Sequence, residues 1–597
     1  MAKKYIDVMD TTFRDGFQSV FGGRVLMDDF FPAVEAAKEA GIKHFEFGGG
    51  ARFQTLYFYL QENAFDMMDR FRDIVGPEAN LQVLSRGINT VMLDTGSRET
   101  IDLFAKMFKK HGTTTVRNFD ALNDVNNLIY SGQCIKKHGL NHEVVVTMMD
   151  LPPGCEGAHD VAFYEKTLRN ILDSGLEFDS VCFKDASGTS NPHKVYETIK
   201  MARNLLGDDT HLRLHTHETA GVSVAGYLAA LEAGADGIDM AASPVSGGTS
   251  QPDILTMLHA TKGTDYNLGD LELPKILKYE ERLHKSLQDY MIPPEATQVS
   301  PLIPFSPMPG GALTANTQMM RDSGNLDRFD EVILAMKEVV ERGGYGTSVT
   351  PVSQFYWQQA YANVMFGPWK QIAPGYGRMV LGYFGKTPVA ADPEIVALAS
   401  KKLKLESTTE NPLDIADRDE NKSIAHWTKV LEDEGLETTD ENIFIGASCD
   451  QKGIAFLKGE GPLMVRKKSE EENNSGEVDM AGNYTVVVDG KKFSVQVAEG
   501  NADIQVTEAA AAAAPAPTAT LVEGGVGSTK IESQTPGNVW KILLSPGDSV
   551  KEGDKIMILE AMKMEIDITA PQDGVVKSIS VNVNDAVSDG QLLATME

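Results

Sequence analysis

Cysteine and positive charge are both scarce in this sequence. Four cysteines occur among 597 residues, and Cys134, Cys155, Cys182 and Cys449 follow neither a metal-ligand spacing nor a disulfide framework. They are expected to be free thiols in a reducing environment. Lys and Arg total 55 against 85 Asp and Glu, a net charge of −30. Nucleic acid is therefore not an expected partner, because phosphate binding needs clustered cations.

Long apolar runs are also missing. No stretch of 18 apolar residues occurs, and the N-terminal segment MAKKYIDVMD lacks the apolar region and cleavage site of a signal peptide. The protein is therefore expected to be cytoplasmic and not to cross a membrane. With 42% hydrophobic and 23% charged residues the composition is that of a globular protein, and 597 residues require several domains.

Short apolar or β-branched segments recur along the first 265 residues, each followed by a longer helical pattern. They begin near residues 5, 44, 81, 113, 142, 180, 212 and 236. A spacing of about 25 to 38 residues is that of one strand plus one helix. Eight such units predict an α/β fold, a (β/α)8 TIM barrel over residues 1–265. Enzymes of this architecture carry their chemistry at the carboxyl ends of the strands.

The segment LRLHTHE in the seventh unit carries two histidines one residue apart. Alternate residues of a strand face the same way, so His215 and His217 can reach one cation. Two histidines satisfied by hydrogen bonds are the alternative. The motifs DTTFRDGFQS, SRG and FKDASG follow other strands and bring Asp15, Arg86 and Lys184 to the same mouth. The sequence alone gives the lysine no role in a cation site, since an ammonium group repels a metal ion.

These motifs resemble a known family. DTTFRD, the RG after the third strand, FDALND, FKD and HTH, in this order, are similar to the carboxyltransferase domain of biotin-dependent pyruvate carboxylases, oxaloacetate decarboxylases and transcarboxylases. The similarity covers about 260 residues and extends to the wider metal-dependent aldolase-like barrels. It implies a carboxyltransferase whose barrel holds a divalent cation (Zn, Mn or Co).

The resemblance also implies roles for individual residues. Lys184 would bind CO2 as a carbamate (N6-carboxylysine) and so become an anionic ligand. The implied metal ligands are Asp15, Lys184, His215 and His217. Gln18 and Arg86 would hold a keto acid. Asp10 is expected to brace the first strand through hydrogen bonds, and Asp185 either braces its loop or supports a ligand.

Two segments depart from the family pattern. The chain reads GFQS where the family commonly reads AHQS, and GGGARFQ where it commonly reads WGGATFD. Phe17 and Arg52 are among the changed residues, and they leave the acceptor acid open. Arg52 either pairs with a second carboxylate, as 2-oxoglutarate would supply, or is a solvated surface residue.

Helical patterns replace the strands after residue 265 and predict a helical domain over residues 266–465 that completes the active site. Its segment SVTPVSQ resembles a family motif that faces the barrel mouth. The resemblance implies that Thr350 moves a proton between biotin and the substrate, since a hydroxyl both donates and accepts. Gln354 stands where many pyruvate carboxylases have lysine, and it resembles the decarboxylase branch.

The remaining chain divides into three predicted parts. Residues 466–506 read as a loop and a small β-hairpin around Asp489-Gly490. Residues 507–520 form an Ala/Pro-rich linker. Within residues 521–597 the sequence resembles itself when it is shifted by 37 residues, so that Gly537 is aligned with Gly574. This internal repeat predicts an all-β flattened sandwich.

The motif LEAMKMEI between the two half-repeats resembles the biotinyl-domain signature. It implies covalent biotin on Lys563, attached by a biotin protein ligase. A lone exposed lysine is the alternative.

Together these features predict the carboxyltransferase and carrier subunit of a two-subunit pyruvate carboxylase, which transfers the carboxyl group of carboxybiotin to pyruvate and gives oxaloacetate. A separate ATP-dependent biotin carboxylase subunit is an expected partner, because no ATP-grasp region is visible, and the family suggests a homodimeric core in a hetero-oligomer. The alternatives are the α subunit of a sodium-pumping oxaloacetate decarboxylase, the large subunit of a 2-oxoglutarate carboxylase, an aldolase-like lyase, and a carrier scaffold with an inactive barrel.

Overall fold

The computed structural model describes residues 3–468, 482–488, 491–497, 529–533, 537–561, 564–583, 585–587 and 590–597. The first part of the chain alternates strands and helices. Its strands are β1 (Lys4–Asp10), β2 (His44–Gly49), β3 (Asn80–Ser85), β4 (Thr115–Asn118), β5 (Asn141–Thr147), β6 (Ser180–Asp185), β7 (His211–Thr216), β8 (Gly237–Met240) and β9 (Tyr266–Leu268). Its helices are α1 (Phe17–Phe21), α2 (Met27–Glu39), α3 (Gly50–Thr55), α4 (Ala64–Val75), α5 (Arg98–Lys110), α6 (Asn126–Lys137), α7 (Val161–Asp173), α8 (Pro192–Leu206), α9 (Ser223–Ala233) and α10 (Ile254–Ala260).

Strands β1 to β8 form a closed parallel barrel. Each strand pairs with the next along the chain, and β1 closes the ring by pairing with both β2 and β8. The predicted TIM barrel and its eight strands are therefore confirmed. Along β1, strand β8 pairs with the second half, from Asp7 to Asp10. Strand β9 pairs with the first half, from Lys4 to Ile6. Strand pairing thus continues just beyond residue 265, where helical structure was expected to start at once.

Polar side chains set the ends of the barrel helices. The side chain of Asn63 accepts a hydrogen bond from the first turn of α4, and Asn191 does the same for α8, which has Pro192 at its first position. α9 ends at Gly234, whose φ of 110° suits glycine. These caps fix where each helix returns the chain to the next strand.

The barrel interior below the mouth is filled by a buried network of charges. Arg117 donates to Glu143 (Nε to Oε1, 2.5 Å) and contacts Asp239. Arg213 contacts Asp239 (3.1 Å) and Asp7 (2.6 Å). Because isolated buried charges are costly, their mutual pairing is what allows them to stay in the interior. This network ties β4, β5, β7, β8 and β1 together directly beneath the mouth.

A helical region follows the barrel, and part of it covers the barrel mouth. Its helices are α11 (Leu273–Leu287), α12 (Gly310–Asp322), α13 (Phe329–Arg342), α14 (Val352–Phe366), α15 (Pro374–Val380), α16 (Pro393–Leu403), α17 (Pro412–Asp417), α18 (Ile424–Asp433) and α19 (Asp440–Leu457). A single apolar cluster joins this region to the mouth, since Leu84 and Phe119 of the barrel pack in it with Val349 and Tyr356. Helices α12 to α16 and the barrel mouth thus share one core, whereas α11 and α17 to α19 pack in the apolar cluster of the barrel.

The C-terminal region is all β. Its strands are β10 (Gly482–Val488), β11 (Lys491–Val497), β12 (Thr529–Glu532), β13 (Gly537–Ile542), β14 (Ser549–Val550), β15 (Lys555–Ala561), β16 (Met564–Thr569), β17 (Gly574–Ile579), β18 (Ala586–Val587) and β19 (Leu592–Met596). β10 and β11 pair antiparallel, with Val488 opposite Lys491, which confirms the predicted hairpin. The Ala/Pro-rich segment 507–520 lies outside the described residues.

Strands β12 to β19 form two four-stranded sheets, in the orders β12-β19-β17-β14 and β16-β15-β13-β18. The predicted repeat is visible in the pairing. Gly537 of β13 pairs with Val587, and Gly574 of β17 pairs with Val550, the same contact with the halves exchanged. The all-β sandwich with two related halves is therefore confirmed. Among the described residues, no helix is both long and apolar enough to span a membrane.

Candidate active site at the barrel mouth

A cavity lies between the barrel mouth and the helical region. Every residue predicted to bind metal or substrate contributes to its lining except His215, which lies directly below it. The lining residues are Arg14, Asp15, Gln18, Leu84, Arg86, Phe119, Lys184, Ala186, His217, Pro309, Gly311, Ala312, Val349 and Thr350. The folded chain thus brings together side chains that are more than 300 residues apart in sequence.

Three donor atoms converge at the floor of this cavity. Asp15 Oδ2 lies 3.2 Å from His215 Nε2 and 3.3 Å from His217 Nε2. The ligand atoms of these three buried residues lie within 4.8 Å of one another. One carboxylate oxygen and two imidazole nitrogens at this spacing are a donor set that suits a divalent transition metal ion.

The orientation of both imidazoles is set by their second ring nitrogen. His215 Nδ1 bonds to Asp239 Oδ2 (2.7 Å), and His217 Nδ1 donates to the carbonyl oxygen of Thr249 (2.7 Å). Both Nε2 atoms therefore face Asp15. Burial, followed by the charge of Lys184, lowers the pKa of His215, which favours the neutral imidazole that binds metal.

Lys184 lies beside these donors. β6 and β7 are in register with Lys184 next to His215, and Lys184 Nζ is 2.6 Å from His215 Nε2 and 3.5 Å from Asp15 Oδ2. Burial lowers the pKa of Lys184, and the charges of Arg14 and Arg117 act in the same direction, while the carboxylates of Asp15 and Glu46 oppose the shift. A lowered pKa favours the neutral amine, which is the form that reacts with CO2 to give a carbamate.

Arg14 holds the carboxylate of Asp15 in place. Its Nη2 lies 3.1 Å from Asp15 Oδ2 and 2.6 Å from Glu46 Oε2. Burial alone would raise the pKa of Asp15, but the charges of Arg14, Lys184 and His217 outweigh it and hold this pKa well below its usual range. Asp15 is therefore an anion at neutral pH.

Arg86 and Gln18 contribute unpaired polar atoms to the cavity wall. Arg86 is 3% exposed, and its Nη1 donates to the carbonyls of Val91 (2.6 Å) and Met92 (3.0 Å). Its Nε has no hydrogen-bond partner, and neither has Gln18 Oε1. Among the described residues no carboxylate pairs with Arg86. A buried guanidinium without an acidic partner indicates a site for an anionic ligand.

Thr350 reaches the cavity from the helical region. The segment before Thr350 is held on the barrel mouth by Thr347. The amide of Thr347 donates to the carbonyl oxygen of Ala121 (2.8 Å), and its hydroxyl is hydrogen-bonded to the hydroxyl of Thr147 (2.8 Å). α14 begins two residues after Thr350. Thr350 therefore lines the cavity from the helical region.

Two other aspartates serve as braces. Asp10 accepts hydrogen bonds from the amide of Thr12 (3.0 Å) and from the hydroxyl of Tyr279 (2.8 Å). This confirms the bracing role expected for Asp10. Asp185 accepts from the amides of Gly188 (2.9 Å) and Ser190 (2.6 Å), so it braces the loop after β6.

Arg52 has neither of the environments expected from the sequence. It is fully buried, it does not line the cavity, and it donates to the carbonyls of Gly23 and Val25. Its guanidinium lies 5.6 Å from the ring centres of Phe17 and Phe30. The two departures from the family pattern, at Phe17 and Arg52, thus belong to one packing unit behind the cavity. Arg52 is not placed to bind a second substrate carboxylate.

Replacing Arg52 by methionine should separate stability from substrate binding. Arg52→Met keeps most of the packing on Phe17 but loses the bonds to two carbonyls, so the free energy of unfolding should fall by about 2 kcal/mol. The Michaelis constant for the acceptor acid should change by less than about two-fold. Denaturation and steady-state kinetics check both values, with Arg52→Lys as the charged control. A large rise in the Michaelis constant at unchanged stability would instead make Arg52 a substrate ligand.

The predicted biotin site, Met562-Lys563, lies outside the described residues. The strands on either side pair with each other, with Ala561 of β15 opposite Met564 of β16. In the sequence the two residues therefore lie between β15 and β16, one strand from each half of the repeat.

Two known families match the chain. The family described as "Conserved carboxylase domain" matches residues 303–506, and the one described as "Biotin-requiring enzyme" matches residues 528–596. A pyruvate carboxylase subunit of Methanocaldococcus jannaschii is 31% identical over 567 residues, which is 94% of each chain. The chain belongs to the family of biotin-dependent carboxylases that includes this subunit.

Other members of this biotin-dependent carboxylase family differ in their acceptor. The 2-oxoglutarate carboxylase large subunit of Hydrogenobacter thermophilus is 28% identical, over 95% of this chain and 91% of its own. The carboxyl transferase domain of Rhizobium etli pyruvate carboxylase with pyruvate superposes with a TM-score of 0.69 and 24% identity, covering 77% of this chain and 78% of that one. This structural likeness supports the fold.

As a biotin-dependent carboxyltransferase, the chain uses covalent biotin and a divalent metal ion. The cluster of Asp15, His215 and His217 fits such an ion. Sequence reasoning missed the residues that orient the ligands, Asp239 and Thr249. Asp239 could have been noticed as a carboxylate in the apolar strand segment DGIDM, whereas a backbone carbonyl leaves no signal in sequence.

Proposed function

We propose that the chain is the carboxyltransferase and carrier subunit of a two-subunit pyruvate carboxylase, which transfers a carboxyl group carried by biotin on Lys563 to pyruvate and gives oxaloacetate. The observation that supports pyruvate as the acceptor is the position of the arginines. Arg86 lines the cavity without an acidic partner, whereas Arg52 is buried elsewhere. One available guanidinium matches the single carboxylate of a short keto acid.

When bound, the metal ion supplies a Lewis acid for the keto oxygen, and biotin supplies the carboxyl group. Asp15, His215, His217 and carbamylated Lys184 would hold the metal. Arg86 and Gln18 would orient the keto acid with its oxygens toward the barrel. Its methyl group then points toward the helical region.

Thr350 would face this methyl group, because it lines the same cavity from the helical region. Its hydroxyl would accept a proton from the methyl carbon while it donates its own to the ureido nitrogen of biotin. The hydroxyl is thus restored at the end of the transfer, and one proton has moved from substrate to carrier.

The partners follow from the same proposal. The Methanocaldococcus relative is named as a subunit, and a separate ATP-dependent biotin carboxylase would load the biotin of this chain. A biotin protein ligase would attach the cofactor to Lys563. The carboxyltransferase core would be a homodimer in a cytoplasmic hetero-oligomer.

A partial reaction tests the acceptor without the partner subunit. The purified biotinylated chain, mixed with oxaloacetate, should release pyruvate in an amount equal to its biotin content. Oxalosuccinate should release no 2-oxoglutarate beyond the amount formed by its spontaneous decarboxylation without the protein. The opposite result, release of 2-oxoglutarate alone, would make the chain a 2-oxoglutarate carboxylase subunit, like its Hydrogenobacter relative.

One observation favours the decarboxylase as a second candidate. Gln354 stands where many pyruvate carboxylases have lysine, and its buried Nε2 has no hydrogen-bond partner. The α subunit of a sodium-pumping oxaloacetate decarboxylase would use the same residues in reverse. The partners of the native protein distinguish the two directions.

A further inference from the structure

The amino terminus of α12 faces the substrate cavity. Gly311 and Ala312, at the second and third positions of this helix, line the cavity together with Pro309. The first backbone hydrogen bond of the helix is donated by Leu313 to Pro309 (2.9 Å), and no side chain caps the helix. Within the described residues, the amides of Gly310, Gly311 and Ala312 have no acceptor. Free amides at a helix start attract anions.

Glycine at two positions lets the helix come this close. A Cβ on Gly310 would lie 1.6 Å from the carbonyl oxygen of Thr249, the atom that accepts from His217. A Cβ on Gly311 would lie 3.3 Å from Gln18 Nε2. The helix start is therefore packed directly on the residues that orient a metal ligand and the substrate.

A second feature of the cavity independently indicates an anion. Arg86 is 3% exposed, lines the same cavity, and has an Nε without a hydrogen-bond partner. The other guanidinium in the lining, that of Arg14, is already paired with Asp15 and Glu46. One free guanidinium can neutralise one carboxylate. A ligand with two carboxylates needs another positive element. With Lys184 and His217 assigned to the metal, the start of α12 is the remaining one among the described lining residues.

We propose that the amino terminus of α12 binds the second carboxylate of a four-carbon 2-oxo dicarboxylic acid while Arg86 binds the first. The inference rests on the proposed function, because it identifies the part of the substrate cavity that binds the transferred carboxyl group. Gly311 and Ala312 of α12 line the same cavity as Arg86 and Thr350. A monocarboxylic acid would leave the helix start unused.

Equilibrium binding to two acids that differ by one carboxylate tests this assignment. Full-length chain carrying Lys563→Arg, which has no biotin to accept a carboxyl group, is titrated with pyruvate and with oxaloacetate by calorimetry. Ala312→Pro removes one free amide, and proline is accepted in the first turn of a helix. Its dissociation constant for oxaloacetate should rise about ten-fold, with that for pyruvate within about two-fold. Ala312→Gly, which keeps the amide, is the matched control.

A second variant covers the case in which proline disturbs the helix. Ala312→Asp places an acidic group at the third helical position, where it stabilises helices and competes for the same amides. It should also raise the ratio of the two dissociation constants about ten-fold. An unchanged ratio in both variants would overturn the inference. If the parent chain binds neither acid, the proposed function itself is wrong.

Discussion

Lys184→Ala should purify almost free of metal and without carboxyltransferase activity. Without Lys184, the donor cluster consists of one carboxylate and two imidazoles. In the structure, Lys184 Nζ lies 2.6 Å from His215 Nε2. An ammonium at this distance would oppose a cation, whereas a carbamate would be its fourth ligand. We expect the bound metal to fall below about a tenth of the wild-type content, since loss of a ligand removes most of the affinity. Elemental analysis of the purified protein measures it.

Two controls separate the carbamate from other roles of Lys184. Lys184→Arg keeps the positive charge and the length of the side chain but cannot bind CO2, so it should lose the metal as well. Wild-type protein exposed to 13C-labelled bicarbonate should show a carbonyl resonance that both variants lack. Full metal content in Lys184→Arg would show that the carbamate is not a ligand.

Thr350→Ala should leave the metal and the fold intact while carboxyl transfer falls about a thousand-fold, the scale of a lost proton-transfer group. Thr350 lines the cavity from the helical region and is not one of the three donor residues Asp15, His215 and His217. Metal content and pyruvate affinity therefore serve as internal controls. The assay is release of pyruvate from oxaloacetate by the biotinylated chain.

Thr350→Ser is the matched variant for this prediction. It keeps the hydroxyl and loses only a methyl group, so it should retain activity within about ten-fold of wild type. Undiminished transfer by Thr350→Ala would remove Thr350 from the mechanism. Equal losses in both variants would assign Thr350 to packing instead of proton transfer.

The barrel was predictable because its signal is local and repeated. Each of the eight strands has its own apolar or β-branched segment, and the paired histidines of LRLHTHE lie in one of them. The C-terminal repeat was visible for the same reason, since Gly537 and Gly574 occupy equivalent positions in the two halves. Local periodicity follows from the geometry of single strands and helices.

Contacts between distant segments could not be predicted in the same way. Asp239 and Thr249 orient His215 and His217 from other strand ends and loops. Arg52 follows β2 at the barrel mouth, where a long side chain can point into the cavity or behind it, and the packing with Phe17 selects the second direction. β9 is only three residues long, too short to show a period of its own.

The central claim is that this chain carries carboxyl groups to pyruvate in partnership with a biotin carboxylase. The most direct test is to isolate the biotinylated protein from its own cells on avidin, identify what co-purifies, and assay the complex in both directions. We predict a soluble ATP-dependent biotin carboxylase and oxaloacetate formed from pyruvate, bicarbonate and ATP. A membrane-spanning partner with sodium-dependent decarboxylation of oxaloacetate would contradict this claim.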